Sequence, residues 1–346
     1  MKKSILSMLA VAALFVSCSD DDSSNTVDPV VKTIGKLDYT PGTKLDVSGW
    51  AWKDATLTST YTAGTTEELD DVTTDKTVDG VVYLGKTIHV QDGATLTFEA
   101  GSEVIAKKGG ADINLVVDMG AKIVVKGTAT EPVVFSSENG ESGDWGGLTI
   151  LGKGISTGGL NVEFEVGAFP YGGTDNADNS GSIEYLVVRG TGAQIDSESQ
   201  TNGISFCAVG SETVVNHIAV IDGDDDGVEF YGGAVSASEV HLEDNSDDSV
   251  DWTEGWSGGI TNLNIVHNNT GFSTAFEGDK ENNNPTFTNV TAVSTVGGTA
   301  LQFKKASGAT ITNLYLEGYE NEIEFKDADL FVISNVKING SVAVIK

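Results

Sequence analysis

The 346-residue sequence predicts an all-β solenoid, a right-handed parallel β-helix with coils of about 22–27 residues. One recurring phrase is an apolar strand led by a small polar residue: "VNHIAV" at Asn216, "ASEVHL" at Ser238, "ITNLNI" at Asn262, "FTNVTAV" at Asn289, "ITNLYL" at Asn313 and "ISNVKI" at Asn335. Its steps are 22, 24, 27, 24 and 22 residues. A second phrase places Phe206, Phe230, Trp252, Phe276, Phe303 and Phe325 at steps of 24, 22, 24, 27 and 22. Two registers that advance together predict one coil per repeat. The phrases themselves are short, β-branched or aromatic, and alternating in polarity, with Gly, Asn and Asp between them, which is the pattern of strands and turns.

The chain opens "MKKSILSMLAVAALFVSCSDDDSS". Lys2 and Lys3 precede an apolar run from Ile5 to Val16 that is too short to span a bilayer, so residues 1–17 read as a signal peptide. "LFVS" before Cys18 resembles the lipobox of bacterial lipoproteins, which implies lipidation of Cys18 and anchoring in the outer membrane. The "SDDDSS" that follows resembles the acidic tag of Bacteroidota lipoproteins exposed on the cell surface. Residues 18–45 lack apolar periodicity and are expected to form a flexible acidic tether, leaving 46–346 for the β-helix.

The early coils are looser. Gly93-Ala94 and Gly120-Ala121 align at a step of 27, and Leu148 to Leu151 supply a further strand. Positions 154–180 break the period and are expected to form a long loop standing out beside a binding face. Within a strand such as Val228-Glu229-Phe230, alternate side chains share a side. Val228 and Phe230 are expected inside and Glu229 outside. The six aromatics would then stack through the core about 4.8 Å apart, and Trp145 is read as a packing residue.

Charge and composition exclude several function classes. The net charge is −31 for the whole chain, and −33 without Lys2 and Lys3, which argues against nucleic acid as a partner. Past Cys18 the one remaining cysteine is Cys207, so neither an intrachain disulfide nor a cysteine zinc site can be built. Histidines stand singly at 89, 217, 241 and 267 without metal-binding spacing.

The acidic phrases "DGDDDGVEF" and "NSDDSVDW" carry the functional signal. A shift of 22 places Asp222 over Asp244, Asp225 over Asp247, Asp226 over Asp248 and Glu229 over Asp251. Like charges this close repel unless water and salt screen them, a Ca²⁺ ion bridges them, or some stay protonated. Asp222, Asp225, Asp244, Asp247 and Asp248 are the candidate Ca²⁺ ligands, since Ca²⁺ takes about six to eight hard oxygens in loose geometry.

The phrases "DDDGVEF" and "SDDSVDW" also resemble, in content and spacing, two motifs of polygalacturonases, inverting glycoside hydrolases built on a β-helix of the pectin-lyase type. That resemblance implies Asp226, Asp247 and Asp248 as the acid and base carboxylates. The chain departs from the motif set elsewhere. Asn269-Thr270-Gly271 stands where a histidine phrase belongs, His267 comes two residues early, and Gln302 replaces the arginine that should precede Lys304. Arg189 is the one arginine in the sequence. The wording "GDDDGxEFxGG…NxDDxxDWTxGWxG" resembles surface lipoproteins of Bacteroidota over most of the mature chain, with no catalytic activity implied.

The leading expectation is therefore a non-catalytic surface lipoprotein that binds a polysaccharide or other surface glycan, Ca²⁺, or both on an acidic face. Glu229, Tyr231, Asp251, Trp256 and Lys304 are the candidate ligand-binding residues, with Phe169 and Tyr171 of the loop as further sugar-stacking rings. The alternatives are a polygalacturonase-like hydrolase and a passive surface scaffold or adhesion protein.

Overall fold

The computed structural model describes residues 32–326 and 335–346, apart from positions 165, 168, 197–198 and 281–282. The expected signal peptide, the Cys18 expected to be lipidated and the first part of the expected tether, up to residue 31, lie outside the described residues. What is described is a parallel β-helix. One sheet stacks Ile88–Val90, Leu115–Val117, Leu148–Leu151, Ile204–Cys207, Val228–Tyr231, Asp248–Thr253, Thr274–Gly278, Thr299–Lys304 and Asn321–Lys326, each parallel to the next. Ile34–Gly35 closes its last edge in antiparallel pairing with Asn321–Lys326. Among the described residues no helix is long and apolar enough to cross a membrane.

The other large sheet bends into two faces. In the first coils these faces are separate strands, such as Lys122–Lys126 and Val133–Ser137. Gly181–Arg189 spans both: Gly181 to Glu184 pair with the former and Leu186 to Val188 with the latter, across a corner at Tyr185 with φ 53°. Later long strands turn the same corner at His217, Glu239, Asn262, Asn289 and Asn313, all near φ +55° to +58°. Asn visits this left-handed region at low cost, and its short amide can bond locally. Here the amides form a ladder: Asn289 donates to Asn262 at 2.8 Å and Asn313 to Asn289 at 3.0 Å.

Asn216 and Ser238 sit one residue ahead of this corner, so the first sequence phrase mixes two neighbouring columns. In the last coil Asn339, not Asn335, meets the ladder, its Oδ1 accepting the N–H of Asn313 at 2.8 Å.

The interior holds Val228 and Phe230 as expected, but the aromatic column is broken. Phe206 stacks on Phe230 with centroids 5.1 Å apart, and Trp252 lies opposite Phe230. The residue opposite Trp252 is then Gly278, while Phe276 lies opposite Val250, a step of 26 where the sequence phrase implies 24. A Cβ at Gly278 would come within 2.7 Å of the Trp252 indole, so the large ring takes the room a stacked Phe would need.

Two segments depart from expectation by packing down. Residues 33–61 form a strap that runs the length of the solenoid. Thr33 accepts from Phe325 (2.8 Å), Gly42 donates to Leu314 (2.6 Å), Trp52 packs edge-on against Tyr185 and His217, and Thr58 and Ser59 donate to Glu103. Residues 33–45, expected to belong to a tether, instead lie against the final coils, with Leu37 buried in the core. The 154–180 segment folds back as a hairpin, Val162–Glu163 with Pro170–Tyr171, instead of standing out. Its Phe164, Val166 and Tyr171 are buried with Leu151, Cys207 and Tyr231 on the outer side of the first sheet.

Candidate functional site

Parallel pairing brings the two acidic phrases together in the register their repetition implies. Val228, Glu229 and Phe230 lie opposite Val250, Asp251 and Trp252. The turns before these strands are tied by side chains: Oδ1 of Asp226 accepts the N–H of Asp248 at 2.9 Å, and Oδ1 of Asp248 accepts the N–H and hydroxyl of Thr274 at 2.7 and 2.6 Å. Each carboxylate thus stitches its turn to the next coil.

Two oxygen clusters result. One oxygen each from Asp225, Asp226 and Asp247 lie within 4.8 Å of one another, and the same holds for Asp226, Glu229 and Asp251. Asp226 belongs to both. Glu229 accepts from Asn202 Nδ2 at 2.6 Å and from the Tyr231 hydroxyl. Glu277 lies opposite Asp251 and takes Lys304 Nζ at 2.5 Å.

Burial is the unexpected property. Asp226, Glu229, Asp248 and Glu277 are 6, 8, 3 and 7% exposed, although strand alternation turns Glu229 and Glu277 away from the core. Burial, and then the charges of Glu229, Asp248 and Asp251, push the Asp226 carboxyl well above the usual carboxylate range. Burial with Glu277 and Asp247 does the same to Asp248, and burial with Glu229 and Glu277 to Asp251. Burial also raises Glu277, although the Lys304 ammonium pulls it the other way.

Several oxygens on this face have no protein partner. Asp251 Oδ1, Thr253 Oγ1 and Gln302 Oε1 are buried without a hydrogen bond among the described residues. Gln302 follows Glu277 in the same outward column and is 2% exposed. Unpaired buried acceptors beside like charges are costly unless a proton or a cation reaches them. The oxygen spacing and donor types fit a hard divalent cation.

Other expected site residues fall elsewhere. Asp222 and Asp244 stack, but each holds its own turn in the left-handed conformation at φ 57° and 54°. Asp222 pairs with Arg189 at 3.4 Å, and Asp244 accepts the N–H groups of Asn268 and Asn269 at 2.6 and 3.0 Å. Neither joins an oxygen cluster. Trp256 is fully buried, stacked 3.9 Å from Phe230 with its Nε1 donating to Val235, so no sugar can lie on it. The Tyr231 ring is covered by Phe164 and Tyr171, leaving its hydroxyl to Glu229. Tyr171 is itself buried, its hydroxyl donating to Glu254 at 2.9 Å. Phe169 is half-buried, edge-on to His89. Lys304 does sit in the cluster.

Glu277 and Asn202 escape the sequence reading, which met Gln302 only as the replacement of an arginine. The break in the aromatic column hides Glu277, because a step of 24 sets Ala275 over Asp251. Matching "TAFEG" to "SVDWT" by Phe276 on Val250 would have found it.

This arrangement of stacked strands and outward acids can be set beside known proteins. Residues 64–344, about four-fifths of the chain, match the family described as a pectate-lyase-like β-helix domain. The chain belongs to that family. No relative was found among curated proteins. In this pectate-lyase-like β-helix the acidic column occupies the outward side of the first sheet, in the coils after the Val162–Tyr171 hairpin.

Proposed function

We propose that this β-helix is a non-catalytic binding protein, lipid-anchored through Cys18 on the surface of the outer membrane, whose acidic column takes Ca²⁺ and a glycan. The observation that carries this reading is Asp226: one buried carboxylate shared by two oxygen clusters, next to an Asp251 oxygen with no hydrogen-bond partner among the described residues. A divalent cation relieves both the repulsion and the missing contacts. Seven carboxylates, at 225, 226, 229, 247, 248, 251 and 277, gather here, and among the described residues the ammonium of Lys304 is the cation that offsets their charge most directly, at Glu277 and Asp251. Family membership supports a carbohydrate as the larger ligand, and exposed Asp247 and half-buried Asp225 mark where sugar hydroxyls would meet the cation.

Hydrolysis is the weaker reading on this geometry. Asp226 and Asp248 spend oxygens on backbone N–H groups and lie buried, whereas an inverting pair needs both carboxyls open across a water-sized gap of roughly 6.5–9.5 Å. A panel of neutral and acidic polysaccharides, offered with Ca²⁺ and with EGTA while retention and new reducing ends are both followed, separates the readings. Calcium-dependent retention without new ends is expected. New reducing ends abolished by Asp226→Asn would establish the hydrolase instead, and neither signal would leave a scaffold.

A further inference from the structure

The strap does not close evenly on the sheet beneath it. Over one stretch it packs tightly, with Trp52 on Val134, Val187, Ala219 and Ile221. Next to this, strap residues 56–61 stand off from Ile105, Ser136 and Arg189 and leave a groove of about 530 Å³, within the roughly 300–1,000 Å³ typical of small-molecule sites. Ser136 lies opposite Ile105, and Arg189 follows directly on the Phe135–Val188 pairing, so these residues continue one outward column of the ladder.

A column buried only for stability would continue with Val or Ile, as the neighbouring positions do. This one instead carries a serine and the sole arginine of a chain with net charge −31. Ser136 is 3% exposed, and its hydroxyl has no hydrogen-bond partner among the described residues. The Arg189 guanidinium is held in place by Nε donating to the carbonyl of Ala55 at 3.1 Å and by Asp222 at 3.4 Å, which leaves further N–H donors for the groove. Glu138 supplies acceptors on the same rim, one of its oxygens already taking the Tyr83 hydroxyl at 3.2 Å. Leu57 and Ile105 add apolar surface, and the Tyr61 ring is fixed by stacking 3.6 Å from Tyr83.

Fixed donors and acceptors beside an apolar strip and an aromatic ring match a compact polyhydroxylated ligand: vicinal hydroxyls take the guanidinium and the carboxylate, and the C–H face takes the ring. We propose that the groove beneath the strap is a saccharide subsite for one or two sugar units, on a different face from the acidic column and independent of Ca²⁺.

Saturation-transfer NMR with cellobiose, xylobiose, lactose and digalacturonic acid, run on the folded chain from residue 32 in EGTA, tests this. At least one disaccharide is expected to receive saturation. The signal should fall at least fivefold in Arg189→Gln and in Ser136→Val, and persist in Asp226→Asn. Arg189 also ties the strap, so its variant counts only if it melts like the wild type; Ser136→Val, which replaces the hydroxyl with methyl groups and leaves the strap's own hydrogen bonds untouched, decides otherwise. No transfer to any of the four disaccharides, or transfer that Ser136→Val leaves intact, overturns the proposal. Loss in Asp226→Asn with retention in Ser136→Val would place sugar binding on the acidic face instead.

Discussion

The N–H of Asp248 donates to Oδ1 of Asp226 at 2.9 Å, so a buried acid on one coil is the acceptor that holds the turn of the next. The same carboxylate sits within 4.8 Å of Asp225 and Asp247 on one side and of Glu229 and Asp251 on the other. Its structural bond and its charge can be separated by mutation.

Asp226→Asn keeps an oxygen for the Asp248 N–H and removes the charge. In EGTA at pH 8 it should be more stable than the wild type by about 1–2 kcal/mol, the scale on which removing an uncompensated buried charge acts. Asp226→Ala loses the acceptor as well and should be less stable than Asp226→Asn by about 1–3 kcal/mol. Urea unfolding of the three proteins checks the order, and an Asp226→Asn protein weaker than wild type in EGTA would contradict it.

The pH dependence follows from the raised carboxyls. Native Asp226, Asp248 and Asp251 hold protons at pH values where the unfolded chain, with carboxyls near 4, has released them. Stability in EGTA is therefore greatest below about pH 4 as far as these groups are concerned, and is lost as pH rises through their native values. Melting temperature against pH should fall on that limb in EGTA and flatten when Ca²⁺ replaces the protons. A limb of the same slope with and without Ca²⁺ would exclude the cation.

His267 works in the opposite direction. It is fully buried, flanked by Ser249 Oγ at 3.0 Å and the Tyr319 hydroxyl at 2.9 Å and stacked on Phe272, and burial pushes its pKa down to about 3. Its contribution is complete above about pH 6.5, where the unfolded imidazole is also neutral, and is lost as pH falls towards 3. His267→Gln should remove close to one proton from the slope of stability between pH 6 and 4, about 1.4 kcal/mol per pH unit. Denaturant titrations at stepped pH measure it, and an unchanged slope would refute the assignment.

Trp256 separates packing from ligand contact. Its ring fills the core beside Phe230, so Trp256→Ala should cost about 3–5 kcal/mol. Any loss of glycan retention in that variant should disappear at a temperature low enough to keep it folded. Retention lost in a fully folded variant would return Trp256 to the binding face.

The coil repeat was legible because a parallel ladder forces each phrase to recur once per turn, and the 22-residue shift between "DDGVEF" and "DDSVDW" survives in the pairing of Glu229 with Asp251. The next coil was misread because its two extra residues are absorbed before the strand, and Phe276 imitates a ring in the Trp252 column while lying over Val250. The strap and the hairpin carry no period at all. Trp52 and Tyr171 find their places through contacts with Tyr185, His217 and Glu254, far away in sequence, and such contacts leave no local pattern. Burial of the acids was hidden for the same reason: strand alternation turns Glu229 outward, but only the tertiary placement of Asn202 and of the hairpin under which Tyr231 lies encloses it.

The most direct test is calorimetric titration of Ca²⁺ into the folded chain at pH 7 in two buffers of different ionisation enthalpy. The acidic column predicts saturable binding with net proton release, since the cation displaces protons from buried carboxyls, together with a higher melting temperature than in EGTA. Asp226→Asn and Asp251→Asn should each weaken binding at least about tenfold, or about 1.4 kcal/mol. Absence of binding heat and of any melting shift in the wild type, or binding that both variants leave unchanged, would contradict the account.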